Sequence, residues 1–212
     1  MKKTSVVVVD DHQVVRAGLK SIIDGQSDLA VVAEASSGKE ALEQLRKAPV
    51  DVLLLDLHLP DMSGLDVLRY TRAHYPLTKV LMLSSYPESQ FGFNVLRDGA
   101  SGFIGKSAEP PELMRALRTV ARGGRYVSQE LAAQLVATLD GDANAPRHGV
   151  LSEREFQIFV KLAEGESVSQ IAARLFLSVK TVSTYRRRVL DKMSMNGNAD
   201  ITAYALRNEL IR

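Results

Sequence analysis

Val6-Val7-Val8-Val9-Asp10-Asp11 and Val52-Leu53-Leu54-Leu55-Asp56 decide the fold of this 212-residue chain. Each is an unbroken apolar run closed by acid. Such a run, far too short to span a membrane, has the pattern of a parallel strand buried on both faces. Open α/β sheets bind and react at the C-terminal edge of their strands. Two strands ending in Asp10, Asp11 and Asp56 therefore predict three carboxylates gathered at one edge, suited to a divalent cation and to phosphoryl chemistry.

The pattern repeats outward from these two runs. Strands are predicted at Ser5–Val9, Leu29–Glu34, Val50–Leu55, Lys79–Leu83 and Gly102–Ile104, and helices at Val14–Ile23, Gly38–Leu45, Gly64–His74, Ser89–Arg97 and Pro111–Arg122. Five βα units in succession predict an α/β domain with a doubly wound parallel sheet covered by helices on both faces. Gly123-Gly124 closes it. Ser128 then caps a short helix, Gln129–Leu139, and the polar Gly- and Pro-containing run Asp140–Gly149 reads as a linker. The expected organisation is a first domain over residues 1–125, a helix and flexible linker over 126–147, and a second domain over 148–212.

Composition excludes several function classes. The chain has no Cys, which removes disulfides, thiolate catalysis and cysteine zinc sites. Nothing resembles a signal peptide or a membrane span, so the cytoplasm is the expected location, with no membrane partner. The net charge is only +2, but its distribution is uneven. Residues 1–130 carry 16 basic and 16 acidic side chains, whereas Arg174–Lys192 carries six basic residues against the single acid Asp191. A basic helix on an otherwise neutral protein is a nucleic-acid footprint.

From Leu151 onward the pattern is helical. Ser152-Glu153-Arg154-Glu155 is a capping box ahead of Phe156, Phe159, Val160 and Ala163. Gly165 ends that helix. Ser167 opens a second, with Val168, Ile171, Ala172 and Leu175 on one face, and Ser178 caps a third, with Val182, Val189 and Met193 inward. A fourth runs over Ala199–Asn208. Four helices in about sixty residues, with the basic residues concentrated on the third, predict an all-α helix-turn-helix module. Ser167–Leu175 is then the supporting helix and Val179–Lys192 the recognition helix. Lys180, Thr184 and Arg188 fall at i, i+4, i+8 and form one stripe, with Thr181, Tyr185, Arg187 and Lys192 beside it as further DNA-contacting candidates. Tyr185 reads equally as a phosphate donor or a packed ring.

At the acidic edge, Mg²⁺ suits oxygen donors and accepts phosphate oxygens alongside carboxylates. Asp10, Asp11 and Asp56, with the backbone carbonyl of His58, are the candidate ligands. Lys106, after the fifth strand, could hold a phosphoryl oxygen or pair with the acids, and Ser84, after the fourth, offers a hydroxyl. A carboxylate nucleophile, a metal, a cation and a hydroxyl donor together make a phosphoryl-accepting aspartate site.

These residues carry a resemblance. Val9-Asp10-Asp11-His12-Gln13, Leu53-Leu54-Leu55-Asp56-Leu57-His58-Leu59-Pro60-Asp61-Met62-Ser63-Gly64, Leu83-Ser84 and Gly99–Lys106 resemble the receiver domain of two-component response regulators over about 120 residues. Leu151–Glu155, Ile171-Ala172, Leu177–Ser183 and Leu190–Lys192 look like the LuxR/FixJ-type DNA-binding domain. The whole chain thus resembles the NarL/FixJ class, which implies a flavodoxin-like five-stranded receiver and a four-helix output module. The resemblance makes Asp56 the phosphoacceptor for a sensor histidine kinase, Asp10 and Asp11 the metal pair, Lys106 the essential lysine, and Ser84 and Phe103 the switch residues. It also implies a non-enzymatic regulator, catalysing only its own phosphotransfer and slow dephosphorylation. The implied partners are promoter DNA, RNA polymerase, and a second copy of the chain through the fourth helix. Phe103 stands where Tyr is frequent, and Gly105 where a larger apolar residue would tighten the turn. Tyr185 stands where His is usual, and Asn198 lacks the positive charge often found there.

Two rival readings differ in class. A haloacid-dehalogenase-type phosphatase carries a second Asp two residues after its nucleophile, where this chain has His58. A protein-interaction regulator, whose helical module recruits a partner rather than reading DNA, leaves the basic stripe without a purpose.

Overall fold

The structure is a computed structural model that describes residues 3–85, 92, 95–129, 131–133, 147–208 and 210–211. It divides into two compact units, Met1–Asp142 and Ala143–Arg212.

The first unit holds β1 (Thr4–Val9), α1 (Gln13–Asp24), β2 (Leu29–Ala35), α2 (Gly38–Lys47), β3 (Val52–Asp56), α3 (Gly64–His74), β4 (Lys79–Ser84), β5 (Gly102–Gly105) and α4 (Pro110–Ala121). The sheet order is β2-β1-β3-β4-β5, with every neighbouring pair parallel. That order reverses direction between β1 and β3, the point where an open α/β sheet leaves a crevice at its carboxyl edge. Val6–Val9 and Val52–Leu55 are fully buried, as strands covered on both faces require. Alternate residues serve opposite faces: Val6, Val8, Leu54, Leu81 and Ile104 pack with Ile23 of α1 and with Leu113, Leu117 and Val120 of α4.

Helix starts follow the local chemistry. Ser37 caps α2 by accepting from the Glu40 amide, and Ser63 caps α3 by accepting from Leu65. Pro110 and Pro111 open α4, where a missing amide costs nothing. The third strand begins two residues later than the sequence pattern predicts. Val50 is buried, but its carbonyl accepts the Thr78 hydroxyl (2.9 Å) rather than joining the ladder. The Asp51 carboxylate clamps the amide and hydroxyl of Ser5 (2.8 and 2.7 Å), fastening the start of β1 to the start of β3. Of the helix predicted over Ser89–Arg97, Val95–Arg97 are helical, and of Gln129–Leu139, Gln129 and Leu131–Ala133; the remaining residues of both, and the predicted linker up to residue 146, lie outside the described residues except Gly92, which is helical.

The second unit holds a 3₁₀ turn (Arg147–Val150), α5 (Glu153–Ala163), α6 (Val168–Arg174), α7 (Val179–Met193) and α8 (Asn198–Arg207). Its core is the inward face of each helix: Phe156 and Phe159 (ring centroids 5.8 Å apart), Ile171, Val182, Val189, Met193, Ile201 and Ala205. Both capping boxes, Ser152/Glu155 and Ser167/Gln170, are complete. Glu155 is buried and does double duty, because its carboxylate also accepts the Lys192 ammonium (2.6 Å).

Burial pushes the Glu155 carboxyl up, but Lys192 and the Ser152 amide and hydroxyl together hold it below its ordinary value of 4.5. A depressed acid stabilises the fold above its unfolded pKa and loses that contribution as pH falls through the folded value. Glu155→Gln is therefore expected to cost about 1–3 kcal/mol at pH 7, with the difference shrinking well below pH 4.5. Urea unfolding of the full chain, read on the amide signals of α5, checks both the cost and its disappearance in acid.

Candidate functional site

Register brings the acidic residues together. Val9 of β1 pairs with Leu55 of β3, so Asp10 and Asp56 are the next residues at the same level of the sheet. Asp56 pairs with Leu83 of β4, and Ser84 pairs with Gly105 of β5, so Ser84 and Lys106 arrive at the same edge. Ligand atoms of Asp10, Asp11, His12 and Asp56 all lie within 4.8 Å of one another. Asp10 and Asp56 are buried, while Asp11 and His12 face outward.

Lys106 holds this group together electrostatically. Its ammonium lies 2.7 Å from a carboxylate oxygen of Asp10 and 2.7 Å from one of Asp56. Burial pulls the lysine pKa down, but the charge of Asp56 and the hydrogen bonds to both acids outweigh that and raise it. Asp56 goes the other way. Burial, reinforced by the Asp10 charge, outweighs the pull of Lys106 and lifts its pKa from 3.8 to about 6. One ammonium between two buried carboxylates leaves an excess of negative charge, which is the condition for recruiting a cation.

The loops are shaped to hold this edge. The amide of His12 donates to Asp10 (2.8 Å) and its ring meets Asp11 (2.6 Å). Arg16 of α1 donates to the Asp10 carbonyl (2.7 Å). The His58 amide faces Asp56 (3.3 Å), and His58 bridges to Ser63 across the turn before α3. A side chain at Gly64 would collide with the Asp56 carbonyl oxygen, so α3 begins against the back of that strand only because residue 64 is Gly. Asp61 reaches across to accept from the amides of Gly38 and Lys39 (2.8 and 2.9 Å), tying this loop to the start of α2. His12, Arg16 and Asp61 were not singled out from the sequence; the Asp10-Asp11-His12 adjacency was the one available signal.

Around Gly105 the turn is closed by backbone bonds: Lys106 donates its amide to the Ser84 carbonyl (2.7 Å), and Ala108 donates to the Gly105 carbonyl (3.1 Å). Phe103 is fully buried in β5.

In the second unit, α6 and α7 are joined by Leu175–Ser178, and Lys180, Thr184, Arg187 and Arg188 of α7 are exposed. Ser178 caps α7 through the Thr181 amide (3.0 Å), and the two hydroxyls share a hydrogen bond (2.7 Å). The Thr184 hydroxyl donates to the Lys180 carbonyl (2.9 Å). Tyr185 is half-buried, and the Arg188 guanidinium sits over its ring at 5.7 Å, which gives the ring a part in orienting that charge. The exposed Lys192 directs its ammonium to Glu155 and the Val150 carbonyl. Asn198, which lacks a charge, instead accepts from Arg186 (2.8 Å) and ties the start of α8 to α7. Among the described residues no helix is long and apolar enough to cross a membrane.

Comparison with known proteins adds an independent line. A family model described as the response regulator receiver domain matches residues 6–118, and one described as bacterial regulatory proteins, luxR family, matches residues 149–205. The response regulator UvrY of Escherichia coli strain K12 is 35% identical over 207 residues, covering 97% of this chain and 95% of UvrY. The oxygen regulatory protein NreC of Staphylococcus aureus strain JH9 is 36% identical over 213 residues, covering 97% of this chain and 98% of NreC. Among solved structures, the response regulator ChrA of a heme-sensing two-component system matches over the full length of both chains (100% of each), with TM-score 0.54 and 31% identity. RcsB of Salmonella enterica serovar Typhimurium, bound to promoter rprA, matches with TM-score 0.67 over 96% of this chain and 98% of RcsB; at 23% identity this likeness concerns the fold.

The raised pKa of Asp56 has a consequence for stability. A carboxyl whose folded pKa lies above its unfolded value binds more protons when folded, so it costs stability as pH rises from 3.8 to about 6 and above. Asp56→Asn removes that cost. It is expected to stabilise the first unit by about 1–3 kcal/mol at pH 7.5, the gain vanishing as pH drops toward 3.8. Thermal unfolding of both proteins across that range measures it; equal stability at pH 7.5 would contradict a cost of burying the ionised Asp56.

Proposed function

Because the chain belongs to the response regulators that join a receiver domain to a LuxR-family DNA-binding domain, we propose that it is a transcriptional regulator switched by phosphorylation of Asp56. The observation that carries this is the buried Asp56 carboxylate held by Lys106 at 2.7 Å beside Asp10 and Asp11 at the open edge of the sheet. The receiver takes residues 1–125, the connector 126–147 and the output domain 148–212.

The donor set fits Mg²⁺: the cluster is rich in carboxylate oxygens and carries more negative charge than Lys106 neutralises. Asp10, Asp11, Asp56 and the His58 carbonyl would hold it, and when bound it neutralises charge on the phosphoryl oxygens. The Asp56 carboxylate attacks the phosphorus of a phosphohistidine on the sensor kinase; the P–N bond breaks and the imidazole leaves, with no general base required. Lys106 turns from the free carboxylate to the incoming phosphoryl oxygens, and the Ser84 hydroxyl donates to the same group. The acyl phosphate then persists long enough to bias the receiver between two states, and no small phosphoester is turned over.

The readout is DNA binding by α7. Lys180, Thr181 and Thr184, near its start, are placed for base edges; Tyr185, Arg187 and Arg188 meet phosphates. Homodimerisation through α8 pairs two such helices on a near-palindromic promoter site, where RNA polymerase is the further partner. The setting is the cytoplasm. A module that only recruits a protein partner is the second reading, and the exposed cationic stripe favours DNA over it.

Treatment with a small phosphodonor such as acetyl phosphate is expected to strengthen binding of duplex promoter DNA by the wild type and leave Asp56→Ala unaffected, measured by mobility shift. Equal stimulation of both would remove Asp56 from the switch. Binding is further expected to weaken steeply with salt, and Arg188→Ala to reduce the logarithmic salt slope by about one.

A further inference from the structure

The turn between α6 and α7 contains a residue that the fold itself does not favour. Phe176 has φ +53° and is 83% exposed, a bulky side chain in left-handed backbone with its ring in solvent. It occupies the position after the C-cap of α6. Its amide donates to the Ala173 carbonyl (3.4 Å) and the next amide, Leu177, donates to Ala172 (2.9 Å), the paired bonds of a Schellman ending. Glycine or asparagine is the low-cost residue there. Elsewhere this chain places glycine or a small polar residue in that region: Gly123 after α4 and Gly165 after α5 have φ +84° and +88°, and Ser194 after α7 has φ +52°. Packing does not explain a bulky ring there, because it is largely bare.

Its surroundings do. Phe176 lies three residues before the start of α7, whose first residue, Val179, is also an exposed apolar side chain and whose second, Lys180, is an exposed cation. The apolar pair is therefore continuous in the chain with the cationic stripe of the proposed recognition helix. We infer that Phe176, with Val179, is a specificity-determining contact to the 5-methyl group of a thymine in the major groove of duplex DNA. This rests on α7 being the DNA-reading element. An aromatic or aliphatic side chain against a thymine methyl reads sequence without any hydrogen bond, and backbone strain retained at a solvent-facing turn is the mark of a residue kept for contact.

The test uses full-length protein treated with acetyl phosphate and a pool of duplexes with a randomised core, from which the wild type selects its preferred site. Phe176→Asn relieves the left-handed backbone, so its melting temperature is expected to equal or exceed that of the wild type, while affinity for the selected duplex falls about tenfold. The salt slope stays unchanged, because no phosphate contact is lost. Replacing thymines of the site by deoxyuridine, which lacks only the methyl, tests that contact directly. Weaker binding by the wild type but not by Phe176→Asn at one position assigns the contact to that methyl; no effect at any position overturns the inference. A clear fall in melting temperature would give Phe176 a packing role and overturn the inference, as would undiminished affinity in a background where Arg188→Ala does weaken binding. If Arg188→Ala and Lys180→Ala both leave binding and salt slope unchanged, α7 itself is not the reader, and the inference falls with that assignment.

Discussion

A single ammonium between two buried carboxylates governs the first unit. Lys106 reaches Asp10 and Asp56 at equal distances of 2.7 Å, and everything at that edge is arranged so that it can. The parallel register sets the two acids level, β5 carries the lysine to the same height, and the turn bond from the Lys106 amide to Ser84 fixes where its side chain begins. Two acids and one cation in a low-dielectric site do not cancel, and burial, with the Asp10 charge added to it, lifts the pKa of Asp56 against the pull of Lys106. The edge is stable enough to exist and uncomfortable enough to welcome more positive charge or a change in the state of Asp56. A switch needs that combination, since a perfectly compensated cluster would have no reason to respond.

The second unit spends its polar groups differently. Ser152, Ser167 and Ser178 each cap a helix, and Glu155 closes a capping box while anchoring Lys192 from α7. Lys180, Thr184 and Arg188 lie exposed, and the Arg188 guanidinium is steadied over the Tyr185 ring. A cation oriented by a ring keeps its full charge for a phosphate, whereas one paired with a carboxylate has to give that pair up first.

Much of this was legible in the sequence, for identifiable reasons. Val6–Val9 and Val52–Leu55 announce buried strands because burial on both faces suppresses alternation, and their terminal acids announce the reactive edge. The helix caps were readable because Ser-x-x-Glu and Ser-x-x-Gln state their own geometry. What escaped depends on partners distant in the chain. Lys192 reads as one more cation on a basic helix, and its bond to Glu155, 37 residues away, appears only in the fold. Asp61 looks like a turn residue until the amides of Gly38 and Lys39 appear beside it. The depth of Phe103 is likewise a property of packing, which a substitution pattern of Phe for Tyr does not reveal.

The clamp from Asp51 to Ser5 has a mechanical meaning of its own. It sits at the opposite end of β1 and β3 from the acids and pins the two central strands to one another at their origin. Side chains alternate with a period of two, so sliding β1 along β3 by one residue in either direction would turn Asp10 away from its place and bring Val9 or Asp11 there instead. With the strand origins pinned, a change in charge at the far edge cannot be relieved by such slippage. It has to be absorbed by the connecting loops, so the sheet works as a fixed ruler against which only those loops are free to be reset.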